Sequence, residues 1–387
     1  MHKIKVMRTT GIKIFILLTF LLISCGRWVN DSQDDSGPNE GPITEIRNPD
    51  GTVTLTWHTS APGCGKVEYD TLSGNYHHFA RSFDPYTTDH SITLIGLMEN
   101  QTYYYQAVTT DGTGHPFFTS PEDSFQTTSI TPPPTFRAVF IDVRQGDANH
   151  IETPAGKRIL IDGGYGTHEP PWGQGEGEDW DGNGEPITLN FLQNEGVNHL
   201  DLIVETHHHS DHYGGLLDVM EAGIPYSQYL SPDSPGHYSR GDTLWVGDPN
   251  VTVKILSLDY PPDVSHQGEN NRSIVLKFTF GQADFLFTGD AENEVNDFLF
   301  QIYSQELSCE FLKVNHHGSG NGTSENYLNA VNPLVAVISS GAGNPYGHPH
   351  QETLNLLQAQ GIEIWRTDQK GTITIITDGE RTWEISY

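Results

Sequence analysis

The sequence predicts an α/β protein of two domains, in which an all-β domain is followed by a layered α/β domain. Short alternating segments separated by turn residues fill residues 43–130, a pattern typical of an antiparallel β-sandwich. Consecutive prolines at 132–134 favour a stiff extended linker. From residue 135 to residue 387, apolar strand patterns are interspersed with helical ones, which predicts a layered α/β domain.

The first 25 residues have the pattern of a targeting segment rather than of a folded element. Basic residues precede an apolar run at 14–23, and the run ends in Leu22-Ile23-Ser24-Cys25. This ending resembles a bacterial lipobox, which implies cleavage before Cys25 and acylation of its thiol; a plain secretory peptide is the alternative. Residues 26–42 are polar and turn-rich, as expected of a flexible tether. We therefore expect a protein of the bacterial cell envelope, anchored by lipid on Cys25 and facing the periplasm or the exterior.

Two further cysteines, Cys64 and Cys309, fall in different predicted domains. A disulfide framework is not expected from that distribution, even in an oxidising compartment. The sequence predicts that both are buried thiols.

The first domain is predicted to contain strands at 52–57, 66–69, 91–94 and 102–108. Its segment Leu94-Ile95-Gly96-Leu97, followed by Thr102-Tyr103-Tyr104-Tyr105, resembles a fibronectin type III module. No motif in this domain indicates chemistry.

The second domain is predicted to contain both strands and helices. The predicted helices occupy 187–193 and begin again at Gly214. The predicted strands are 136–142, 158–162, 202–204, 251–256, 273–280, 285–288, 311–314 and 334–339.

A cluster of metal-capable side chains follows the apolar run at 202–204. The run continues as Thr206-His207-His208-His209-Ser210-Asp211-His212, so the ligands stand where a buried strand ends. His207 and His209 are two apart and point the same way on an extended chain, while Asp211 and His212 follow at the turn. Imidazole with carboxylate suits zinc, with manganese or iron as alternatives. The competing interpretation is a polar loop that picks up metal by accident.

This run resembles the signature of the metallo-β-lactamase superfamily, whose fold is a four-layer αββα sandwich with a metal site at one edge. Asp162, in Leu160-Ile161-Asp162-Gly163-Gly164, resembles the family's aspartate at the end of an early strand. Asp290, in Phe287-Thr288-Gly289-Asp290, resembles its bridging carboxylate. The resemblance covers nearly the whole second domain.

Four further motifs narrow the resemblance to the hydrolase domain of ComEC-type DNA-uptake proteins and to the phosphorylcholine esterases of bacterial surfaces. The chain lacks the His-Thr-x-Gly-His stretch that the broader superfamily has before the bridging aspartate, so one ligand must come from elsewhere. The motifs are Phe140-Ile141-Asp142-Val143-Arg144-Gln145-Gly146-Asp147-Ala148, Asn270-Asn271-Arg272-Ser273, Leu312-Lys313-Val314-Asn315-His316-His317-Gly318-Ser319 and Tyr346-Gly347-His348-Pro349-His350.

The resemblance implies a centre of two divalent metal ions. His207, His209 and either His316 or His317 would hold the first ion. Asp211, His212 and either His348 or His350 would hold the second, with Asp290 as the bridge; His317 and His348 are the preferred ligands.

Asp211, His316 and Asp162 are the predicted catalytic residues: a metal ligand, a substrate contact, and a carboxylate that orients a ligand. Two such ions would lower the pKa of a shared water and orient a phosphoryl group. Asp142 and Asp147 stay ambiguous, because Gly146-Asp147 also fits an ordinary tight turn.

An acidic insertion at 165–185 contains a second motif. Asp179-x-Asp181-x-Asn183-Gly184 resembles the opening of a calcium loop, in which alternate oxygens converge on the ion. Asn190 replaces the bidentate acid of the twelfth position. An ordinary acidic loop is the alternative to calcium binding.

Charge constrains the substrate. The chain has a formal net charge of −30, and residues 135–387 contain 12 Lys and Arg against 36 Asp and Glu. A long nucleic acid would be repelled unless metal ions and a local basic strip offset this charge. We therefore expect hydrolysis of a small-molecule or surface-polymer phosphoester. An ester or lactam hydrolase, and a noncatalytic surface-binding lipoprotein with structural metals, are the alternatives; the sequence makes no prediction of oligomeric state.

Overall fold

The structure is a computed structural model that describes residues 41–83, 86–128, 133–167, 184–258 and 268–387. The predicted anchor residue Cys25 lies outside the described residues, as do Asp179, Asp181 and Asn183 of the predicted calcium loop and most of the predicted tether. None of the helices in the described ranges is long and apolar enough to cross a membrane.

The regular elements in the described part of residues 44–126 are all strands, which confirms the predicted all-β character. Strand β2 is long: it pairs with β1 and β4 along its first half, and with β3 and β5 along its second half. The predicted strands 52–57 and 66–69 are therefore two parts of one strand. The strands are β1 (Thr44–Arg47), β2 (Val53–Asp70), β3 (His78–Ser82), β4 (Tyr86–Leu94), β5 (Thr102–Thr110), β6 (Pro116–Thr119) and β7 (Asp123–Gln126).

The second half of the chain alternates strands and helices. Its first elements are β8 (Phe136–Phe140), β9 (Asn149–Glu152), β10 (Arg158–Ile161), α1 (Ile187–Asn194), β11 (Leu202–Val204), α2 (Ser210–Glu221), β12 (Tyr229–Leu230), β13 (Thr243–Leu244) and β14 (Val251–Ser257). The remaining elements are β15 (Val275–Phe280), β16 (Ala283–Phe287), α3 (Asn293–Tyr303), β17 (Phe311–Lys313), α4 (Glu325–Val331), β18 (Val335–Ile338), α5 (Gln351–Ala359), β19 (Glu363–Arg366), α6 (Thr367–Lys370), β20 (Ile373–Thr377) and β21 (Thr382–Ser386).

These elements form four layers, as the fold prediction required. One sheet contains β12-β11-β10-β9-β8-β20-β21, and the other contains β13 to β19 in sequence order. Apolar side chains such as Phe136, Phe285 and Phe311 fill the space between the two sheets. Helices α1 and α2 cover the outer face of the first sheet, and α3, α4 and α5 cover the outer face of the second. Burial on both faces explains why the central strands are continuous apolar runs.

The two halves of the chain share a sheet, which the sequence did not predict. The C-terminal strand β21 pairs antiparallel with β3, so the first sheet continues from the α/β part into the N-terminal strands. At this seam the Glu384 carboxylate accepts hydrogen bonds from Ile95 N at 2.6 Å, Gly96 N at 2.9 Å and the Tyr69 hydroxyl at 2.7 Å. The N-terminal strands are therefore fixed to the α/β part by backbone pairing and by a buried polar contact.

The cysteine prediction is half right. Cys309 is a buried free thiol, as expected. Cys64 is buried but disulfide-bonded, so the prediction of a thiol there is wrong. The prediction rested on the assignment of Cys64 and Cys309 to different domains, and that assignment does not show which cysteines are bonded.

Candidate metal centre

The candidate ligands lie at one edge of the sandwich, because parallel strands in both sheets end there. In the first sheet β10 and β11 run parallel, and they lead into Asp162 and into the run that starts at His207. In the second sheet β16 and β17 run parallel, and they lead into Asp290 and into the turn with His317. The carboxyl ends of parallel strands are a common place for a site.

Helix α2 begins four residues earlier than predicted, at Ser210 instead of Gly214. Asp211 and His212 therefore stand in its first turn, where the chain changes direction. The backbone of this turn is held by the loop after β10, since Gly163 N donates to the His212 carbonyl at 2.6 Å and Gly215 N donates to the Gly164 carbonyl at 2.8 Å. A side chain at Gly215 would collide with Gly163, which explains the glycines at this contact.

Hydrogen bonds at Nδ1 aim three buried imidazoles at the centre of the site. His212 Nδ1 donates to Asp162 at 2.8 Å, and His317 Nδ1 donates to the Ser339 carbonyl at 3.0 Å. His207 Nδ1 lies 3.1 Å from the Thr206 hydroxyl. That hydroxyl already donates to Asp162 at 2.7 Å, so His207 must be the donor. Each ring thus directs its Nε2 atom towards the site, as metal-binding histidines do.

The Nε2 atoms converge on one carboxylate oxygen. His212 Nε2 and His317 Nε2 are each 3.3 Å from Asp290 Oδ2, His316 Nε2 is 3.7 Å away, and His207 Nε2 is 3.9 Å away. Asp290 thus lies at the middle of the cluster, where a bridging carboxylate is needed.

His317 lies closer to the second predicted ligand group than to the first. Its Nε2 is 3.3 Å from Asp211 Oδ2, and Asp211, His212 and His317 form one group with metal-binding spacing. The prediction instead grouped His317 with His207 and His209. Both residues of the pair have left-handed backbone, with φ of 48° at His316 and 53° at His317, and both rings reach Asp290.

His209 and His316 border the buried group. His209 Nδ1 lies 3.0 Å from His207 Nε2, so these two imidazoles converge as predicted from their spacing. The side chain of His316 is 18% exposed, and its Nδ1 is 3.5 Å from Glu292. His316 therefore stands at the solvent side of the cluster.

The structure separates His348 from His350. His350 uses both ring nitrogens: Nδ1 accepts from Gly320 N at 2.9 Å, and Nε2 donates to the Tyr346 carbonyl at 3.1 Å. His348 has a buried Nδ1 with no hydrogen-bond partner, and its ring lies 5.4 Å from that of His316. Only His348 of the two has a nitrogen left for a ligand.

The two ambiguous aspartates have different surroundings. Asp142 accepts a hydrogen bond from Arg144 N at 3.0 Å and caps a turn. Asp147 is buried beneath the ligands, 3.4 Å from His317 Nδ1, and forms an ion pair with Lys313. Sequence reasoning assigned no role to Lys313, and no local pattern distinguishes a buried lysine from a surface one.

The buried charges suit cations. Four carboxylates, those of Asp147, Asp162, Asp211 and Asp290, face the ammonium of Lys313 and the ring nitrogens. Burial would lower the pKa of His212, but the carboxylates of Asp290 and Asp162 overcome it and raise that pKa well above its ordinary value. Protons are thus held where cations are needed, and metal binding would replace them.

Buried polar atoms without a hydrogen-bond partner lie in the same place, and they test whether the site fits a metal ion. Asp290 Oδ1, His212 Nε2 and His317 Nε2 are buried and have no hydrogen-bond partner. Buried polar atoms are rarely left in that state without a ligand. Burial, together with the neighbouring imidazoles of His317 and His316, lowers the pKa of His348 to about 3, so this ring is neutral and able to bind metal at pH 7. The residues present fit a two-ion centre of imidazole and carboxylate ligands.

Comparisons with known proteins agree with this geometry. Residues 141–342 match the model of the Metallo-beta-lactamase superfamily. The chain is 34% identical over 256 residues to ComE operon protein 3 of Bacillus subtilis, covering 60% of this chain and 32% of that protein. It is 35% identical over 185 residues to Competence protein ComA of Neisseria gonorrhoeae, covering 47% and 26%. It is 31% identical over 253 residues to Recombination protein 2 of Haemophilus influenzae, covering 62% and 29%.

The chain spans about a third or less of the length of these relatives. Among solved structures, CmlA, a diiron beta-hydroxylase from Streptomyces venezuelae, aligns with a TM-score of 0.38 and 12% identity over 76% of this chain and 74% of that one. A zinc-dependent hydrolase of the metallo-beta-lactamase superfamily from Thermotoga maritima aligns with a TM-score of 0.32 and 12% identity over 59% and 97%.

Proposed function

The chain belongs to the metallo-beta-lactamase superfamily, and we propose that it is a two-metal phosphodiesterase of the bacterial cell envelope. The observation that carries this proposal is the convergence of four imidazole Nε2 atoms within 3.9 Å of Asp290 Oδ2. A carboxylate in that position could help to hold two ions, and a pair of ions would stabilise both the attacking and the leaving oxygen of an in-line displacement at phosphorus.

The ligands divide into two groups around Asp290. His207 and His209 would hold one ion, together with His316 or His348 from the solvent side. Asp211, His212 and His317 would hold the other. Asp162 keeps the His212 ring in place through its hydrogen bond at Nδ1. When bound, the ions supply the Lewis acidity that activates water and polarises the phosphoryl oxygen; zinc is the expected metal, with manganese and iron as alternatives.

The solvent side of the cluster is where substrate enters. His316 is partly exposed there, and its Nε2 faces Asp290 while Nδ1 faces Glu292. The exposed Tyr346 ring stacks on His348 at 5.7 Å. A phosphodiester placed against His316 would direct one of its substituents towards this ring.

Charge favours a small or zwitterionic phosphodiester over a long polyanion. The 36 acidic against 12 basic residues in 135–387 repel nucleic acid at low salt. A small phosphodiester carries a single negative charge, and in phosphorylcholine esters, free or on a surface polymer, the trimethylammonium group balances that charge. Ester or lactam hydrolysis by the same centre is the alternative chemistry.

The relatives favour a second candidate, a nuclease. Two of the relatives, at 35% and 31% identity, are named for competence and for recombination, and recombination is a process of DNA. Hydrolysis of single-stranded DNA by this centre would need the same ligands. The two candidates differ in salt dependence. The acidic surface repels a long polyanion most strongly at low salt, so DNA cleavage should rise as salt is added, whereas hydrolysis of a small substrate of low charge should depend little on salt.

The test begins with metal content. Purified protein should contain about two transition-metal ions per chain after supplementation with zinc and manganese. Chelator-stripped protein is then reloaded and assayed with bis(p-nitrophenyl) phosphate, p-nitrophenyl phosphorylcholine, p-nitrophenyl phosphate, a chromogenic lactam and single-stranded DNA. Metal-dependent turnover of the diesters supports the proposal. Less than half an ion per chain, or turnover of the lactam alone, contradicts it; preferential cleavage of DNA selects the nuclease.

We also propose the lipid anchor on Cys25. Its thiol can carry either an acyl chain or a disulfide, so intact-mass measurement before and after reduction distinguishes the two. Cys25→Ala should move the protein from the membrane fraction to the soluble fraction, because the anchor needs that thiol. A variant that still sediments with membranes contradicts the anchor.

A further inference from the structure

A buried ion pair, Lys313 with Asp147, lies beneath the metal ligands on the side away from solvent. Both side chains are 1% exposed, and Lys313 is among the largest fully buried side chains of the described residues. Burying a lysine and a carboxylate costs several kcal/mol per ion before their attraction is counted. Such a pair needs a reason beyond stability, because apolar residues of similar volume often stabilise a fold as well or better.

The backbone of Asp147 is fixed to the ligand-bearing segments. Its N–H donates to the Asp211 carbonyl at 3.0 Å, and its carbonyl accepts from Gly164 N at 2.7 Å. The preceding residue, Gly146, has φ of 126°, and a side chain there would collide with the Asp211 carbonyl. The turn that carries Asp147 is therefore packed directly against the start of α2.

The Asp147 carboxylate faces the outward nitrogens of two ligand rings. Oδ1 is 3.4 Å from His317 Nδ1, and Oδ2 is 3.9 Å from His212 Nδ1. These rings already donate to the Ser339 carbonyl and to the Asp162 carboxylate, so Asp147 adds a negative charge near each Nδ1–H. A negative group there holds the proton on Nδ1 and leaves Nε2 as the metal-binding atom.

Lys313 connects this carboxylate to the bridging residue. Its Nζ lies 3.3 Å from the carbonyl of Gly289, the residue before Asp290. Lys313 itself ends β17, directly before the turn that carries His316 and His317. One ammonium thus touches the Asp147 turn and the Asp290 turn, and its own strand leads into the third ligand segment.

We propose that Lys313 and Asp147 are a positioning pair, which sets the tautomer and direction of His212 and His317 and fixes the Asp290 turn so that the ligands are arranged before metal binds. The proposal rests on the metal centre described under the proposed function. It assigns the pair no contact with substrate. Partners of metal-binding histidines typically change metal affinity about 10-fold to 100-fold when removed.

The test compares single and double substitutions in the full chain. Lys313→Met and Asp147→Asn each leave one buried charge unpaired, and both should lower the melting temperature of the metal-free protein. The double variant Asp147→Asn/Lys313→Met contains no unpaired charge, so its metal-free melting temperature should return to within a few degrees of the parent. Its zinc affinity, measured by competition with a chromophoric chelator, should stay at least about tenfold weaker than that of the parent.

Lys277→Met is the matched control. Lys277 is also a lysine in an ion pair, 2.6 Å from Asp284, but it contacts Glu306 and Ser308 instead of the ligand segments. Its zinc affinity should equal that of the parent.

Each result decides the question. A double variant whose zinc affinity is less than about tenfold weaker than that of the parent overturns the proposal, because the pair is then structural only. A double variant that does not fold also overturns it, since the pair is then a requirement of folding. A parent that binds zinc but hydrolyses no phosphodiester fails the proposed function and leaves this test intact. A parent that binds no zinc overturns both.

Discussion

Two buried carboxylates, Asp290 at the candidate metal centre and Glu384 at the seam between the two halves, differ in how their oxygens are satisfied. Both oxygens of Glu384 accept hydrogen bonds from the chain, two from backbone N–H groups and one from the Tyr69 hydroxyl. Asp290 Oδ1 has no hydrogen-bond partner, and Oδ2 faces the Nε2 atoms of the ligand rings. Burial alone therefore does not separate structure from function. A carboxylate satisfied by the chain stabilises the fold, whereas one left open in a ring of imidazoles is arranged for a ligand.

The comparison is tested most strongly at Asp290. Asp290→Ala should lower turnover by at least about 1,000-fold, worth about 4 kcal/mol of transition-state stabilisation, because the carboxylate belongs to both ligand groups. Metal-free stability should hold or rise, since an open buried carboxylate is removed. Turnover is measured at equal metal loading, with unfolding by denaturant followed separately. A variant within about tenfold of the parent would show that Asp290 is not the bridge.

Glu384→Ala should give the opposite result. Removing the carboxylate leaves Ile95 N and the Tyr69 hydroxyl buried without an acceptor, at a cost of about 3 kcal/mol in the free energy of unfolding. Turnover per folded molecule should not change, because the seam makes no contact with the ligands. Urea unfolding and the assay of the proposed activity measure the two effects. Lost turnover with intact stability would reverse the assignment of the two carboxylates.

The seam should also give stability a pH dependence that the variant Glu384→Gln lacks. Burial raises the pKa of Glu384 to about 7 from its ordinary value of 4.5. Below pH 4.5 the carboxyl group is protonated in both states. As the pH rises from there to about 7, the unfolded chain ionises while the folded chain resists, so the parent loses stability by at most about 3 kcal/mol.

Unfolding free energies of parent and Glu384→Gln are compared at intervals from pH 4.5 to 8, since their difference removes the contribution of all other groups. The parent should lose stability relative to the variant as the pH rises. A flat difference would mean that the three hydrogen bonds hold the carboxylate ionised throughout.

The sequence predicted the fold well wherever burial produced a local pattern. The strands at 251–256 and 311–314, and the helix at 187–193, agree with the structure to within one or two residues, because apolar runs mark strands buried on both faces. The pairing of β3 with β21 was not predicted, since two segments at opposite ends of a chain leave no periodic signal of their contact. For the same reason, the sequence did not show that the predicted strands 52–57 and 66–69 are parts of one strand, β2.

The parts of the candidate site that lie close together in the sequence were predicted, and the parts that lie far apart were not. The run from His207 to His212 carries its own spacing, so the sequence alone brought its ligands together. Lys313 and Asp147 have no such signal, because a lysine is expected at the surface and Gly146-Asp147 fits an ordinary turn. Only the packing of the two loops shows that the two side chains meet.

The comparison of satisfied and unsatisfied polar atoms extends to His348 and His350. His348→Ala should weaken metal binding about 10-fold to 100-fold, because its unpartnered nitrogen adjoins the cluster. His350→Ala should change metal affinity by less than about threefold, since both nitrogens of that ring are used by Gly320 and Tyr346. Competition with a chelator measures both variants. Equal losses would mean that the loop, and not the individual ring, determines affinity.

The smallest effect is expected at Asp142, which shares its turn with the buried Asp147. Asp142 is partly buried, and burial raises the pKa of its carboxyl group, but its contacts are within the chain: Oδ1 accepts from Arg144 N at 3.0 Å, and its own N–H donates to the Thr372 hydroxyl at 3.0 Å. An asparagine keeps the oxygen that caps the turn. Asp142→Asn should therefore change the free energy of unfolding by less than about 1 kcal/mol. Its turnover and metal affinity should stay within about twofold of the parent, because no ligand ring faces this side chain. A loss as large as that of Asp147→Asn, measured in the same chelator competition, would place Asp142 among the groups that hold the metal ligands.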